Sequence, residues 1–168
     1  MKEFVQKQVA LTDSVLQRCE CREKLSEKIT ELFDNPRYNA PFRRGNKYFY
    51  FHNTGLQAQS VLYLQHSLEA EAEVLLDPNA LSEDGTVSLN TFSVSKDAEF
   101  LAYGLSSSGS DWVTIKVMRI QDRSVQPDTL SWVSIHIRFA ETMLKLLLKI
   151  VHIKIMLMID VSGQVFLH

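Results

Sequence analysis

The serine of Gly104-Leu105-Ser106-Ser107-Ser108-Gly109 is the closest approach to a nucleophile motif in this chain. Acyl transfer by serine uses Gly-x-Ser-x-Gly, which seats the side chain on a strained strand-to-helix elbow with backbone N–H groups aimed at the oxyanion. Here the second glycine falls one residue too far, and the flanking pattern is strand, turn, strand. A hairpin or blade turn is the expectation, because Ser and Gly suit turns for local backbone reasons. A general base must stand between nucleophile and carboxylate, and no histidine spacing implies that arrangement. His52 and His66 fall in or beside strands, His136 and His152 fall in a later apolar stretch, and His168 is the last residue. Asp97 and Asp111 read as turn-forming carboxylates. Cys19 and Cys21 offer two thiolates where a structural zinc wants four ligands, and no Cys-x-x-Cys or His-x-x-x-His partner is near. Such close neighbours are also expected to be poorly placed to bridge each other. No phosphate-cradling glycine loop is present. No catalytic, cofactor-binding or metal-ligating residue is therefore assigned, and no cofactor is expected.

The elements that would carry these residues change character along the chain. Over residues 2–33, Phe4, Val5, Gln8, Leu11, Val15 and Leu16, then Leu25, Ile29, Leu32 and Phe33, cluster on helical faces. Two helices are expected, or one broken at residues 19–22, and Asn35-Pro36 ends the run. From Lys47 the period becomes strand-like, with strands at residues 48–51, 60–64 and 73–76 separated by Gly55 and an acidic turn. A second pass begins with a strand at Phe92, a turn at Ser95-Lys96-Asp97, a strand over residues 99–105, a Ser/Gly turn and a strand from Trp112. Residues 100–103 repeat the place of 48–51, residues 115–120 that of 61–64, and residues 121–125 that of 65–69. This weak repeat fits stacked propeller blades. Pattern alone leaves a plain antiparallel meander open.

Composition bounds the function classes. The 168 residues are 45% hydrophobic and 23% charged, which is ordinary globular usage. A formal net charge of −2, with Arg43-Arg44 and scattered lysines forming no basic stripe, argues against nucleic acid as a partner. Two cysteines give no disulfide framework, so a reducing compartment is expected. The N-terminus interleaves charges with apolar residues and lacks the core of a secretion signal, which makes the cytoplasm the expected location. Residues 139–160 are strongly apolar but carry Lys145, Lys149 and Lys154. A charge near the bilayer centre costs about 2.5–3.5 kcal/mol, so no span is expected. Lys145 and Lys149 share a helical side with His152 while apolar residues fill the rest, a poor interfacial pattern, and membrane association is not favoured. The β-branched, weakly charged windows there are instead candidates for aggregation.

Longer text is more specific than any of these fragments. Glu31-Leu-Phe-Asp-Asn-Pro-Arg-Tyr38, Lys47-Tyr-Phe-Tyr-Phe-His-Asn-Thr-Gly-Leu-Gln57, Asp77-Pro-Asn79 and Gly104-Leu-Ser-Ser-Ser-Gly-Ser-Asp-Trp112 together resemble the N-terminal region of the prolyl oligopeptidase family. That family comprises serine peptidases that cleave short peptides after proline. The resemblance runs over about residues 2–133 and disappears from Ser134. It implies a mainly β fold with N-terminal helices: a helical arm over residues 1–40, an incomplete β-propeller over 41–133, and a divergent apolar tail over 134–168. In the family the arm resembles the part that packs beside the catalytic domain. The serine, histidine and aspartate belong to an α/β-hydrolase domain with no counterpart here, so the chain is expected to be a truncated, inactive portion of such a peptidase. An altered splice or shifted reading frame is the expected origin of residues 134–168. Short proline-containing peptides are the partners implied for the complete family. The alternative is a non-catalytic interaction module or a gene-model remnant, self-associating through exposed strand edges.

Overall fold

A computed structural model describes residues 1–134. The expectations for residues 139–160, and for His136, His152 and His168, lie outside the described residues. The chain divides into two compact units, one of Met1–Arg37 with Thr54–Leu56, the other of Tyr38–Asn53 with the described residues from Gln57 onward.

The first unit is helical. Helix α1 spans Lys2–Leu16 and α2 spans Arg22–Phe33, the two-helix form of the sequence expectation. Neither helix buries a residue, and Phe4, Leu11, Leu25 and Phe33 are all exposed. Ion pairs Glu3–Lys7 and Lys28–Glu31, each at 2.8 Å, sit one turn apart on the polar faces. After α2 the Asn35 side-chain amide donates to Leu32 O at 2.7 Å, and Pro36 prevents further helix. The Arg37 guanidinium donates to Gly55 O at 2.7 Å and lies 5.8 Å above the Phe33 ring, which ties residues 54–56 to this unit. Gly55 is required by geometry: its φ is +139°, and a Cβ would stand 2.7 Å from Asp34 Oδ1.

The second unit holds two antiparallel sheets. The first is built from β1 (Arg37–Tyr38), β2 (Phe42–Arg44), β3 (Lys47–Asn53), β4 (Val61–Gln65) and β5 (Glu73–Leu76), in the order β1-β3-β4-β5, with β2 also pairing β3. A single 3₁₀ turn, Pro78–Leu81, leads out of it; Asp77 accepts from Asn79 N at 2.9 Å. The second sheet is β6 (Val87–Val94), β7 (Phe100–Ser107), β8 (Trp112–Arg119) and β9 (Val125–Ser134), paired in sequence order. Strand β6 starts at Val87, five residues ahead of the Phe92 start expected from the sequence. Ser88 and Asn90 lower the local apolar signal, but the ladder to β7 extends through Val87↔Ser107 and decides the matter. Strands β1, β2 and β9 carry no clear signal in the sequence pattern. Two are very short, and β9 carries Pro127, which lacks an N–H donor and sits where the register with β8 shifts between Thr129 and Val125.

The sheets meet over one core. Phe49, Leu62, Leu64, Leu75 and Leu76 from the first join Val94, Leu101, Tyr103, Met118 and Ile120 from the second in a single buried cluster. Period-2 alternation explains the selection, since Phe49 and Phe51 point the same way from β3 and face Leu64 and Leu62 across the ladder. Short aspartate-based turns set the register. Asp97 accepts from Ser95 Oγ and from Glu99 N, Asp122 from Ser124 Oγ and N, and Asp84 from Thr86 Oγ1 and N. Asp97 thus has the turn role expected of it.

Candidate functional site

The face of the first sheet turned away from the core is not an ordinary solvated face. Alternation along β3 sends Tyr48, Tyr50 and His52 to it, β4 contributes Tyr63 and Gln65 opposite them, and β1 adds Tyr38. The rings assemble in tiers. Tyr50 and Tyr63, directly paired across the ladder, stack at 5.4 Å and 9°; Tyr38 lies on His52 at 4.2 Å and 9°; His52 tilts against Tyr63 at 5.8 Å. The Arg43 guanidinium sits 5.7 Å from the Tyr48 ring. Tyr38, Pro41, Arg43, Tyr48, Tyr50 and Gln65 are among the residues that border an open recess of about 420 Å³.

The electrostatics of this face favour contact over reaction. Burial raises the Tyr50 phenol above its usual range, and the neighbouring Tyr38 and Tyr63 reinforce the rise. The recess is bordered by rings, amides and one guanidinium, with no carboxylate or thiol. His52 Nε2 is buried without a hydrogen-bond partner among the described residues, and its ring stacks on Tyr38. Such a surface can stack a flat or cyclic group and hold it with a cation. It contains no pair of groups for proton transfer.

Of the residues singled out from the sequence, His52 lies in this tier and the other described ones scatter elsewhere. Ser106 is 2% exposed in β7, and its hydroxyl donates to Ser110 O at 2.7 Å across a hairpin whose Ser108 and Gly109 take positive φ. That is the hairpin expected of the segment. His66 Nε2 meets Glu73 Oε1 at 2.8 Å, and Arg123 holds Glu73 Oε2 at 3.0 Å, joining β5 to the β8–β9 turn. Among the described residues no group of three or more His, Cys, Asp or Glu is clustered for a metal ion, and no helix is long and apolar enough to cross a membrane. Cys19 and Cys21 are free thiols that lie side by side. Their Sγ atoms are 3.2 Å apart in the turn between α1 and α2. The tyrosine tier was missed by sequence reasoning. Its only signal was an aromatic on both faces of one strand, Tyr48 to Phe51, which reads simply as a strand.

Two successive antiparallel meanders sharing one core are what consecutive propeller blades look like. The sequence model described as "Prolyl oligopeptidase, N-terminal beta-propeller domain" matches residues 1–142. The chain belongs to the prolyl oligopeptidase family. It is 36% identical over 129 residues to the prolyl endopeptidase of Elizabethkingia meningoseptica, covering 77% of this chain and 18% of that one. It is 41% identical over 105 residues to prolyl oligopeptidase A of Amanita bisporigera, covering 57% of this chain and 14% of that relative. A solved prolyl endopeptidase structure superposes with a TM-score of 0.74 at 28% identity, covering 77% of this chain and 19% of the other. Prolyl oligopeptidase B of Galerina marginata, solved bound to a 25mer macrocyclization substrate, superposes with a TM-score of 0.69 at 26% identity over 78% of this chain and 21% of its own. The chain thus spans about a fifth of the length of the prolyl oligopeptidases it matches. Its fold is mainly β with N-terminal helices, a partial β-propeller of this family, and the meander alternative is set aside.

Proposed function

We propose that this chain acts as the opening portion of the propeller of a prolyl oligopeptidase-type serine endopeptidase, contributing blades that restrict entry to short peptides and no group that attacks them. The pairing of a five-stranded and a four-stranded antiparallel sheet over one core carries this reading, supported by the match over residues 1–142. Residues 1–40 serve as the arm, residues 41–133 as the blade segment and residues 134–168 as a divergent tail. The uncovered apolar residues of α1 and α2 suit an arm that packs against further protein. The substrates of the complete enzyme are short proline-containing peptides, attacked by a serine, histidine and aspartate outside this chain. A cytoplasmic location fits the free thiols of Cys19 and Cys21. The purified chain, treated with a fluorophosphonate probe and a proline-containing fluorogenic peptide, is expected to give neither adduct nor turnover. A covalent adduct on any of its serines refutes the proposal.

A second reading is a binding module. Among the described residues β5 pairs only β4, and β6 and β9 bound the second sheet; edges of this kind can pair with another chain. Oligomers in size-exclusion chromatography support this reading. A clean monomer that unfolds cooperatively counts against it.

A further inference from the structure

The turn between α1 and α2 brings two exposed sulfurs together. Cys19 and Cys21 are both free and solvent-accessible, and their Sγ atoms meet at 3.2 Å. The backbone there is closed on itself: Cys19 N donates to Leu16 O at 3.1 Å, Arg22 N to Cys19 O at 3.0 Å, and Leu25 N to Cys21 O at 2.9 Å. Cys21 is the N-cap of α2, a helix of 12 residues. Both side chains are exposed and neither belongs to the buried core, so their chemistry is free to be used. We propose that Cys19 and Cys21 form a redox-active vicinal dithiol that hydroperoxides convert to an internal disulfide.

The two thiols are unequal, which gives the reaction its direction. The hydrogen bond between the two sulfurs, the backbone N–H groups of Cys21 and Arg22, and the neighbouring Arg22 charge lower the Cys19 pKa below the ordinary thiol value. The same contact raises Cys21. Cys19 thiolate attacks one oxygen of the hydroperoxide, breaking the O–O bond; Cys19 becomes a sulfenic acid, and the alkoxide or hydroxide leaves with a proton as alcohol or water. Cys21 then attacks the Cys19 sulfur as its thiolate. The S–S bond forms, the sulfenic oxygen leaves as hydroxide and takes up the thiol proton as water. The net change is two thiols oxidised and one hydroperoxide reduced. A ring closed over a single intervening residue is tight, and tight, exposed disulfides are the labile ones, so a dithiol reductant reverses the step.

The sequence supplies a convenient assay. Trypsin cuts after Arg18 and Arg22, which places both cysteines in the single peptide Cys19-Glu20-Cys21-Arg22. After exposure of the full chain to hydrogen peroxide and quenching with iodoacetamide, mass spectrometry is expected to show this peptide two hydrogens lighter and unalkylated. Dithiothreitol then restores the doubly alkylated form. A peptide that stays fully alkylatable, carries sulfinic acid on both sulfurs, or appears only linked to a second chain overturns the proposal. Dimedone trapping tests the direction: C21S accumulates the adduct at Cys19 faster than C19S does at Cys21, and the reverse order overturns the assignment of Cys19 as the attacking thiol.

Discussion

Gly104 in β7 lies opposite Thr91 in β6, beside the register shift between Leu89 and Thr91. A Cβ at Gly104 would stand 2.7 Å from Thr91 Cγ2 and 3.5 Å from Val113 Cγ2. Threonine is stiff at χ1 and Val113 is 2% exposed, so neither neighbour yields cheaply. Overpacking of this kind costs about 1–3 kcal/mol. Removing glycine freedom from the unfolded chain returns about 0.4–1 kcal/mol. Taking mid-range values of both, Gly104→Ala is expected to destabilise by about 1.3 kcal/mol, or roughly 3–5 °C in Tm for a chain of this size. Thr91→Ala deletes the obstructing methyl at the cost of a β-branched side chain, under about 1 kcal/mol. The double variant should then lose less than the sum of the singles by about 1 kcal/mol. Urea unfolding can be followed by tryptophan fluorescence, because both tryptophans, Trp112 and Trp132, belong to this sheet and approach each other at 6.3 Å. Additive effects, or a Gly104→Ala protein as stable as the parent, would mean that the glycine is not there for the close approach to Thr91.

Three further outcomes can be measured on the same protein. Hydrogen bonds from Ser95 Oγ and Glu99 N hold the Asp97 carboxyl below its ordinary 3.8, and Ser124 Oγ and N do the same for Asp122. Lowered folded pKa values give stability that is present above pH 3.8 and lost as pH falls toward those values, so urea midpoints should drop with acid below that point and drop less in Asp97→Asn/Asp122→Asn. An undiminished slope in the double variant would show that these turns are not its source. His52→Phe keeps the stacking on Tyr38 and removes an unpartnered buried nitrogen, so it should stabilise by roughly 0.5–1 kcal/mol; a loss in thermal unfolding would mean that Nε2 has a bonding role in solution. Glu73→Gln weakens the Arg123 contact between β5 and the β8–β9 turn, and its cost, under about 1 kcal/mol, should vanish at roughly 1 M salt; a salt-independent cost identifies a packing effect instead.

Much of this was legible in the chain itself. The helices ending near Asn35-Pro36, the strands around Phe49 and Leu62, and the hairpins at Asp97 and Ser106 all depend on local chemistry: periodicity, proline and turn residues. The start of β6 was not legible, because Ser88 and Asn90 are held in the strand by pairing to β7 and not by their own preference. Strand β9 is hidden for the same reason, its Pro127 falling where the register with β8 shifts between the Thr129 and Val125 pairings. The tyrosine tier was invisible because it unites Tyr38, Tyr50 and Tyr63 from three strands, a neighbourhood that exists only once the register is fixed.

The amino-acid order thus determined the kinds of elements and, through long specific text, the family, since both reside in residues close together along the chain. It also determined that Ser106 lies in a turn-flanked strand, a property of Gly, Ser and their spacing. Tertiary structure alone decided that two meanders share the core around Phe49 and Leu101, that one sheet face collects stacked rings, and that Cys19 touches Cys21. Those facts depend on pairing register and turn geometry, where a shift of one residue turns every side chain to the opposite face, and no local preference encodes that choice.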